Sequence, residues 1–235
     1  MPRKKILVVL GGNSKEREIS IKTGKACVAA IKRLGYQVKE FDPKKKSFLD
    51  IKKNKPDIIF NALHGEEGED GFAQIFFEFA KIPYTHSGVI SSMNAMNKLI
   101  SKKIFIKNKI KTPLYAVIKK KNFNFLKFEK ITKIKKLVYP LVVKPNNEGS
   151  SIGVKICNDK IILKKNIKVL LKTYDTLIVE NFIDGQEIQV AVLNGKALGA
   201  IELRPKRKFY DYKAKYSLSA KTEHLIPVNL SSKNM

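Results

Sequence analysis

Arginine is scarce in this chain: Arg3, Arg17, Arg33, Arg204 and Arg207 stand beside 47 − 5 = 42 lysines, in 235 residues with a formal net charge of +26. So positive a chain ordinarily points to nucleic acid or an anionic membrane. Readers of phosphates and base edges, however, lean on the bidentate arginine fork, whereas lysine is a solvated point charge that spreads over any surface. The lysines, accompanied by many Ile and Asn, read as a compositional bias, and no nucleic-acid partner is expected. Cysteine is scarcer still. Cys27 and Cys157 show no C-x-x-C spacing, which excludes a disulfide framework and leaves both as core fillers. Long apolar runs are missing as well. Residues 6–10 fall short of the ~7–15 of a signal-peptide core, and nothing approaches the ~18 needed to span a bilayer. No membrane partner is expected, and a cytoplasmic location follows. There is no internal repeat, no G-x-G-x-x-G and no P-loop pattern.

What is present alternates strand and helix. Residues 5–10 read as a buried strand. The next segment places Ile19, Ala26, Cys27, Ala30, Ile31 and Leu34 on one helical face and ends at Gly35 as a C-terminal cap. Strands follow at 37–41 and 58–63, with a short Lys-rich helical piece between them. Phe72, Ile75, Phe76 and Phe79, spaced i, i+3, i+4, i+7, mark another helix. This order predicts a parallel sheet with helices on both faces and functional loops at the carboxyl ends of its strands. A single helix from about 91 should carry Met93, Met96, Ile100 and Ile104. A second α+β unit then runs through strands at 114–118, 138–144, 154–157 and 176–180 and a helix over 159–172. Asn194-Gly195 signals a type I′ hairpin between 188–193 and 197–203.

Gly11-Gly12-Asn13-Ser14 offers backbone N–H groups at a helix start, suited to an anion, or else is a plain strand-to-helix turn. Read on through Lys15-Glu16-Arg17-Glu18-Ile19-Ser20, it resembles the opening motif of D-alanine-D-alanine ligases. Further segments agree in order: Ala62-Leu63-His64-Gly65 with Gly68-Glu69-Asp70-Gly71, Pro83-Tyr84-Thr85 with Ser87-Gly88-Val89, and Lys98 in a Met-x-Lys segment. Val143-Lys144-Pro145 with Glu148-Gly149-Ser150-Ser151-Ile152-Gly153 is similar to the phosphate-loop region of the ATP-grasp group. Tyr210-Asp211-Tyr212 with Lys215-Tyr216 resembles the family's active-site loop.

The resemblance implies an α/β (α+β) ATP-grasp fold. It divides into a Rossmann-like parallel-sheet domain at 1–90, a small central α+β domain at 91–180 and an incomplete C-terminal domain at 181–235. It also implies ATP-dependent joining of two D-alanines through an acyl phosphate, to supply peptidoglycan precursors, by a homodimer in a bacterial cytoplasm. Such a ligase activates a carboxylate by receiving the γ-phosphoryl of ATP, a step governed by positioning and charge neutralisation. Lys98, Lys144 and Lys215 are expected at the phosphates, under a loop that includes Ser151. Glu180, Asn181, Phe182 and Ile183 form the expected adenine hinge and Glu187 the ribose contact, or more plainly a strand end and a glycine turn. Glu16, Ser150 and Tyr216 are expected as the catalytic, substrate-holding trio, with Glu16 on the first D-alanine's ammonium. His64 is expected at the substrate carboxylate, or as a structural hydrogen-bonder. Tyr216 implies an amine as second substrate.

Two segments read more plainly. Glu66, Glu67, Glu69 and Asp70 lack EF-hand spacing, so Asp70 is expected to cap a helix. The lysines of 119–136, interleaved with Phe123, Phe125 and Phe128, read as a basic surface element rather than a membrane or nucleic-acid stripe. One family feature is not found: the Arg-x-Asp and Glu-x-Asn-x-x-Pro-Gly segments that supply the ligands of Mg²⁺ (or Mn²⁺). The expectation is that metal ligands lie beyond Met235 and that these 235 residues form a partial chain with impaired activity. Other readings are another ATP-grasp carboxylate-amine ligase, or a non-catalytic nucleotide-binding protein of the same fold.

Overall fold

The computed structural model describes residues 4–206, 215, 217, 219 and 221–230. The chain divides into two compact units, one formed by residues 1–112 with 146–149 and the other by 113–145 with 150–235.

In the first unit, β1 (Lys5–Val9), β2 (Gln37–Phe41) and β3 (Ile58–Asn61) form a parallel sheet in the order β2-β1-β3. Alternate side chains leave opposite faces of a strand, so β1 feeds two cores. Leu7 and Val9 join Phe41, Ile51, Ile59 and Phe77 on one side, while Val8 and Leu10 join Val28, Ile31 and Ala62 on the other. The first core is covered by a 3₁₀ segment, Phe48–Asn54, and by α2 (Phe72–Ala80); the second is covered by α1 (Arg17–Arg33). Helices thus lie on both faces, as the alternation predicts.

Two helical faces differ from expectation. The buried stripe of α1 is Ser20, Gly24, Val28 and Ile31, which shares only Ile31 with the apolar set of the sequence reading. Small residues let the helix approach the sheet. The Ser20 hydroxyl accepts the Gly11 N–H and donates to the Ala62 carbonyl, both at 2.8 Å, and a Cβ on Gly24 would fall 2.5 Å from Leu10 Cβ. On α2, Ala73, Gln74 and Phe77 are buried, whereas Phe79 is 67% exposed. Phe72 and Phe76 instead meet Phe48 at ring separations of 5.8 and 5.0 Å. Nearly every residue of this helix is apolar, so spacing could not say which side faces the core.

The single helix expected from about 91 is two, α3 (Val89–Met96) and α4 (Lys98–Lys107). Asn97 breaks it by adopting extended backbone and accepting the Ile100 N–H at 3.0 Å, the usual chemistry of an N-cap. The cap of α2 is Gly71 rather than Asp70. Asp70 still accepts the Phe72 N–H at 3.0 Å, and its other oxygen accepts that of Glu67.

In the second unit, β4 (Tyr115–Lys119), β5 (Leu141–Pro145), β6 (Lys155–Cys157) and β7 (Thr176–Asn181) form an antiparallel sheet in the order β4-β7-β5-β6. Helices α5 (Phe125–Ile134) and α6 (Lys160–Leu170) contribute Phe128, Leu163, Ile167 and Leu170 to its core. Cys157 is fully buried there, while Cys27 is only half-buried. A separate antiparallel sheet holds β8 (Glu187–Leu193), β9 (Lys196–Arg204) and β10 (Glu223–Leu225). Asn194 and Gly195 both take positive φ, 50° and 74°, as a type I′ turn requires. Among the described residues, no helix is long and apolar enough to cross a membrane.

The turn after β1 is fastened by a carboxylate. Asp42 receives both guanidinium nitrogens of Arg17, at 3.0 and 2.7 Å, and the N–H groups of Gly12 and Lys44. The Arg17 hydrogen bond is the main cause that lowers the Asp42 carboxyl from 3.8 to about 2. A carboxyl depressed on folding adds stability above its unfolded value and loses it as pH falls through the folded one. The expected result is that Asp42→Asn removes the stability otherwise lost between about pH 4 and pH 2. Thermal midpoints across that range check it; an unchanged acid limb would refute it.

Candidate active site

The first cluster sits at the carboxyl ends of β1 and β3, where open α/β sheets hold their ligands. Gly11 and Gly12 supply positive φ for the turn, but their N–H groups are already taken by Ser20 and Asp42. Gly11 and Gly12 therefore serve the turn. Ser14 then ties this loop to the next by donating to the His64 carbonyl at 2.7 Å.

Glu16 is buried at 3% exposure. Its carboxylate lies against Gly65, where a Cβ would stand 2.7 Å from Oε2, and near Gly149, where one would stand 3.3 Å away. Beside it, His64 Nε2 is 3.2 Å from Thr23 Oγ1, and Nδ1 is 3.6 Å from Glu69 Oε1. Burial pushes the His64 imidazole below its ordinary value; the negative charge of Glu16 opposes this, and His86 adds to it. That direction favours the neutral imidazole, which can donate and accept. A cavity of about 300 Å³ opens here, lined among others by Thr23, His64, Glu69, Gln74, His86 and Ser91. Its floor is built by two amides: Asn61 Nδ2 and Gln74 Nε2 both donate to the Gly68 carbonyl, at 2.9 and 2.8 Å. Gln74 is 1% exposed, and its Oε1 has no hydrogen-bond partner among the described residues. Gln74 was not legible as a site residue, because a lone Gln inside an apolar helix carries no motif.

Lys98 opens α4 and donates to the Glu148 carbonyl, while the Glu148 carboxylate pairs with Lys15. Asn146 Oδ1 accepts the Leu99 N–H at 2.9 Å. Residues 146–149 therefore hold the start of α4 from within the first unit.

The second cluster belongs to the other unit. Lys144 on β5 forms an ion pair with Glu180 on β7, both largely buried, at 20% and 8% side-chain exposure. Asn181 Oδ1 accepts the Val138 N–H at 3.1 Å, and the backbone N–H groups of Asn181 and Phe182 donate to the Leu114 and Pro140 carbonyls. The hinge thus has two of its amides engaged by the fold, and Ile183 is 67% exposed. Partial desolvation raises the Glu187 carboxyl, against the pull of nearby Lys215. Ser150 and Ser151 both take left-handed backbone, at φ 45° and 60°. The expected site residues are divided between the units: Glu16, His64 and Lys98 belong to the first, and Lys144, Ser150, Ser151, Glu180–Glu187 and Lys215 to the second. Tyr210, Asp211, Tyr212 and Tyr216 lie outside the described residues.

The chain is similar to known ligases. A solved structure of D-alanine--D-alanine ligase from Bacillus anthracis superposes with a TM-score of 0.82 at 35% identity, covering 98% of this chain and 73% of that one. The Bacillus anthracis ligase complexed with ATP gives 0.78 at 31% identity, over 97% and 72%. These neighbours define the class: the chain has the ATP-grasp fold. Residues 104–235 match the family described as D-ala D-ala ligase C-terminus. The D-alanine--D-alanine ligase of Pelagibacter ubique (strain HTCC1062) is 56% identical over 234 residues, which is 99% of this chain and 75% of that protein. The chain belongs to the D-alanine-D-alanine ligase family.

Proposed function

We propose that this protein joins two D-alanine molecules at the expense of ATP, forming D-alanyl-D-alanine, ADP and phosphate. The observation that carries this reading is the cavity at His64, with the buried Glu16 carboxylate outside its lining but close enough for its charge to act on the imidazole. The two side chains have the chemistry for a small amino acid, a carboxylate suited to an ammonium and an imidazole suited to a carboxylate. In the proposed sequence, a carboxylate oxygen of the first D-alanine takes the γ-phosphoryl group, releasing ADP. The amine of the second then attacks the acyl carbon, expelling phosphate and losing a proton. Glu16 holds the first ammonium, His64 the carboxylate, and Ser150 and Tyr216 orient the second amine. Lys98, Lys144, Lys215 and the Ser151 loop neutralise and cover the phosphates; Glu180 to Ile183 seat the adenine and Glu187 the ribose.

The division at residues 90 and 180, a homodimer, a cytoplasmic location and a role in peptidoglycan precursor supply belong to the same proposal. So does Mg²⁺ or Mn²⁺ alongside ATP. Among the described residues no group of three His, Cys, Asp or Glu side chains is placed to hold a metal ion.

The test is ADP release from ATP as a function of D-alanine, with the dipeptide identified as product. ADP formation that responds only to another acid would move the protein elsewhere among ATP-grasp ligases, and ATP binding without turnover of any acid would make it a binding protein. His64→Ala should raise the KM for D-alanine roughly tenfold, the worth of one hydrogen bond to a charged group, with the KM for ATP unchanged. An equal rise in both would remove His64 from the substrate site.

A further inference from the structure

The lysine-rich segment 119–136 carries eight lysines and a single acid, Glu129, and Glu129 is engaged by Lys160 at 2.5 Å. The structure sorts its apolar residues in a way the sequence could not. Phe123, Phe125 and Phe128 face inward, with ring separations of 6.2 to 6.3 Å, against the core of the second unit. On the opposite side of α5, Leu126 and Ile134 are 70% and 79% exposed. At 3.6 residues per turn, Leu126, Lys130 and Ile134 form one stripe, flanked by Lys127 and Lys133. Ile161, also 79% exposed, stands in the first turn of α6 next to Lys160, the partner of Glu129.

We propose that this outward face of α5 docks the protein on an anionic lipid surface. With Phe128 buried and Phe123 and Phe125 half-buried against the same core, little ring surface is left on which single-stranded bases would stack. What remains outside is aliphatic and cationic: two large side chains able to enter the headgroup boundary, with lysines whose stems lie along it while their ammonium groups meet lipid phosphates. A second copy of the chain is a poor occupant, because it would bring the same positive face. The helix lies on the surface and does not cross it. This departs from the expectation of a plain basic surface element and of no membrane partner, and it is independent of the ligase reading.

Flotation of the full chain with vesicles tests it, comparing equimolar phosphatidylglycerol and phosphatidylcholine with phosphatidylcholine alone. A protein of this net charge will be attracted to anionic vesicles through any face, so location is what must be measured. Each lysine at such a surface is worth roughly fivefold in partitioning, so Lys127→Gln/Lys130→Gln/Lys133→Gln should lower binding about a hundredfold at low salt. Leu126→Ser/Ile134→Ser should lower it roughly tenfold and leave the remainder more salt-sensitive. Lys44→Gln/Lys45→Gln/Lys46→Gln, exposed in the other unit, should change it less than about threefold. Unchanged thermal midpoints show that the variants fold. Equal losses in the two lysine variants, no effect of removing Leu126 and Ile134, equal binding to neutral vesicles, or displacement from lipid by a short RNA would each overturn the proposal.

Discussion

Lys144→Met is expected to abolish measurable ATP binding and, separately, to destabilise the second unit by roughly 2–3 kcal/mol. The two effects have different origins. The stability loss comes from leaving the Glu180 carboxylate in a largely dry place after its ion-pair partner is removed. Breaking a fully buried pair costs roughly 3–5 kcal/mol, and the residual exposure of Lys144 brings this down. The binding loss comes from the ammonium that would face the ATP phosphates, an interaction worth a hundredfold or more in affinity at a site shielded from water. Lys144→Met/Glu180→Gln should separate them. With the charge gone from both partners, most of the stability returns, while ATP binding does not. Glu180→Gln alone supplies the remaining corner of the cycle. Nucleotide titration and urea unfolding on the four proteins decide it. If the double variant binds ATP as well as the unaltered protein does, Lys144 serves Glu180 and not the nucleotide.

The second large effect is in the other unit. Phe77→Ala should cost roughly 3–5 kcal/mol, the price of removing a fully enclosed ring and leaving a cavity. Phe77 is 0% exposed, and its neighbours at ring separations of 5.3 and 6.5 Å are Tyr84 and Phe48. Phe79→Ala, two residues along and 67% exposed, should cost under about 0.5 kcal/mol. Urea midpoints of the two variants give the comparison. Similar losses would mean that α2 packs through a different face. The Phe77 change should also weaken D-alanine binding, because Gln74, one turn earlier on the same helix, holds the Gly68 carbonyl under the cavity.

That contrast shows where the sequence was legible. Several strands were readable because an apolar run meets a sharp stop: Gly11-Gly12 after β1, Pro56 before β3, Asn194-Gly195 between β8 and β9. The ATP-grasp fold was readable because its motifs recur in order along the chain. Helix faces were not. On α2 almost every position is apolar, and on α1 the buried stripe begins with Ser20 and Gly24, which a search for apolar periodicity passes over. The same limit applied to the glycine turn. Its free-looking amides suggested an anion until Asp42, thirty residues from Gly12, was seen to accept one of them. Arg17–Asp42 and Gln74 beneath the cavity share one property: their partners are set by the fold, and nothing in the local spacing announces them; Asn97, whose partner is three residues away, was hidden instead by the apolar residues that continue across it.

The four residues 146–149 count with the first unit although the chain on either side of them builds the second. The first unit is therefore not a contiguous piece of polypeptide. A fragment ending at residue 112 would lack the Asn146 oxygen that receives the Leu99 N–H and the Glu148 carbonyl that receives Lys98. The beginning of α4 would keep only its Asn97 cap even with every residue of α4 present. In evolutionary terms, such a unit cannot be shuffled away from its neighbour by a single crossover: the two are inherited, and must be engineered, together.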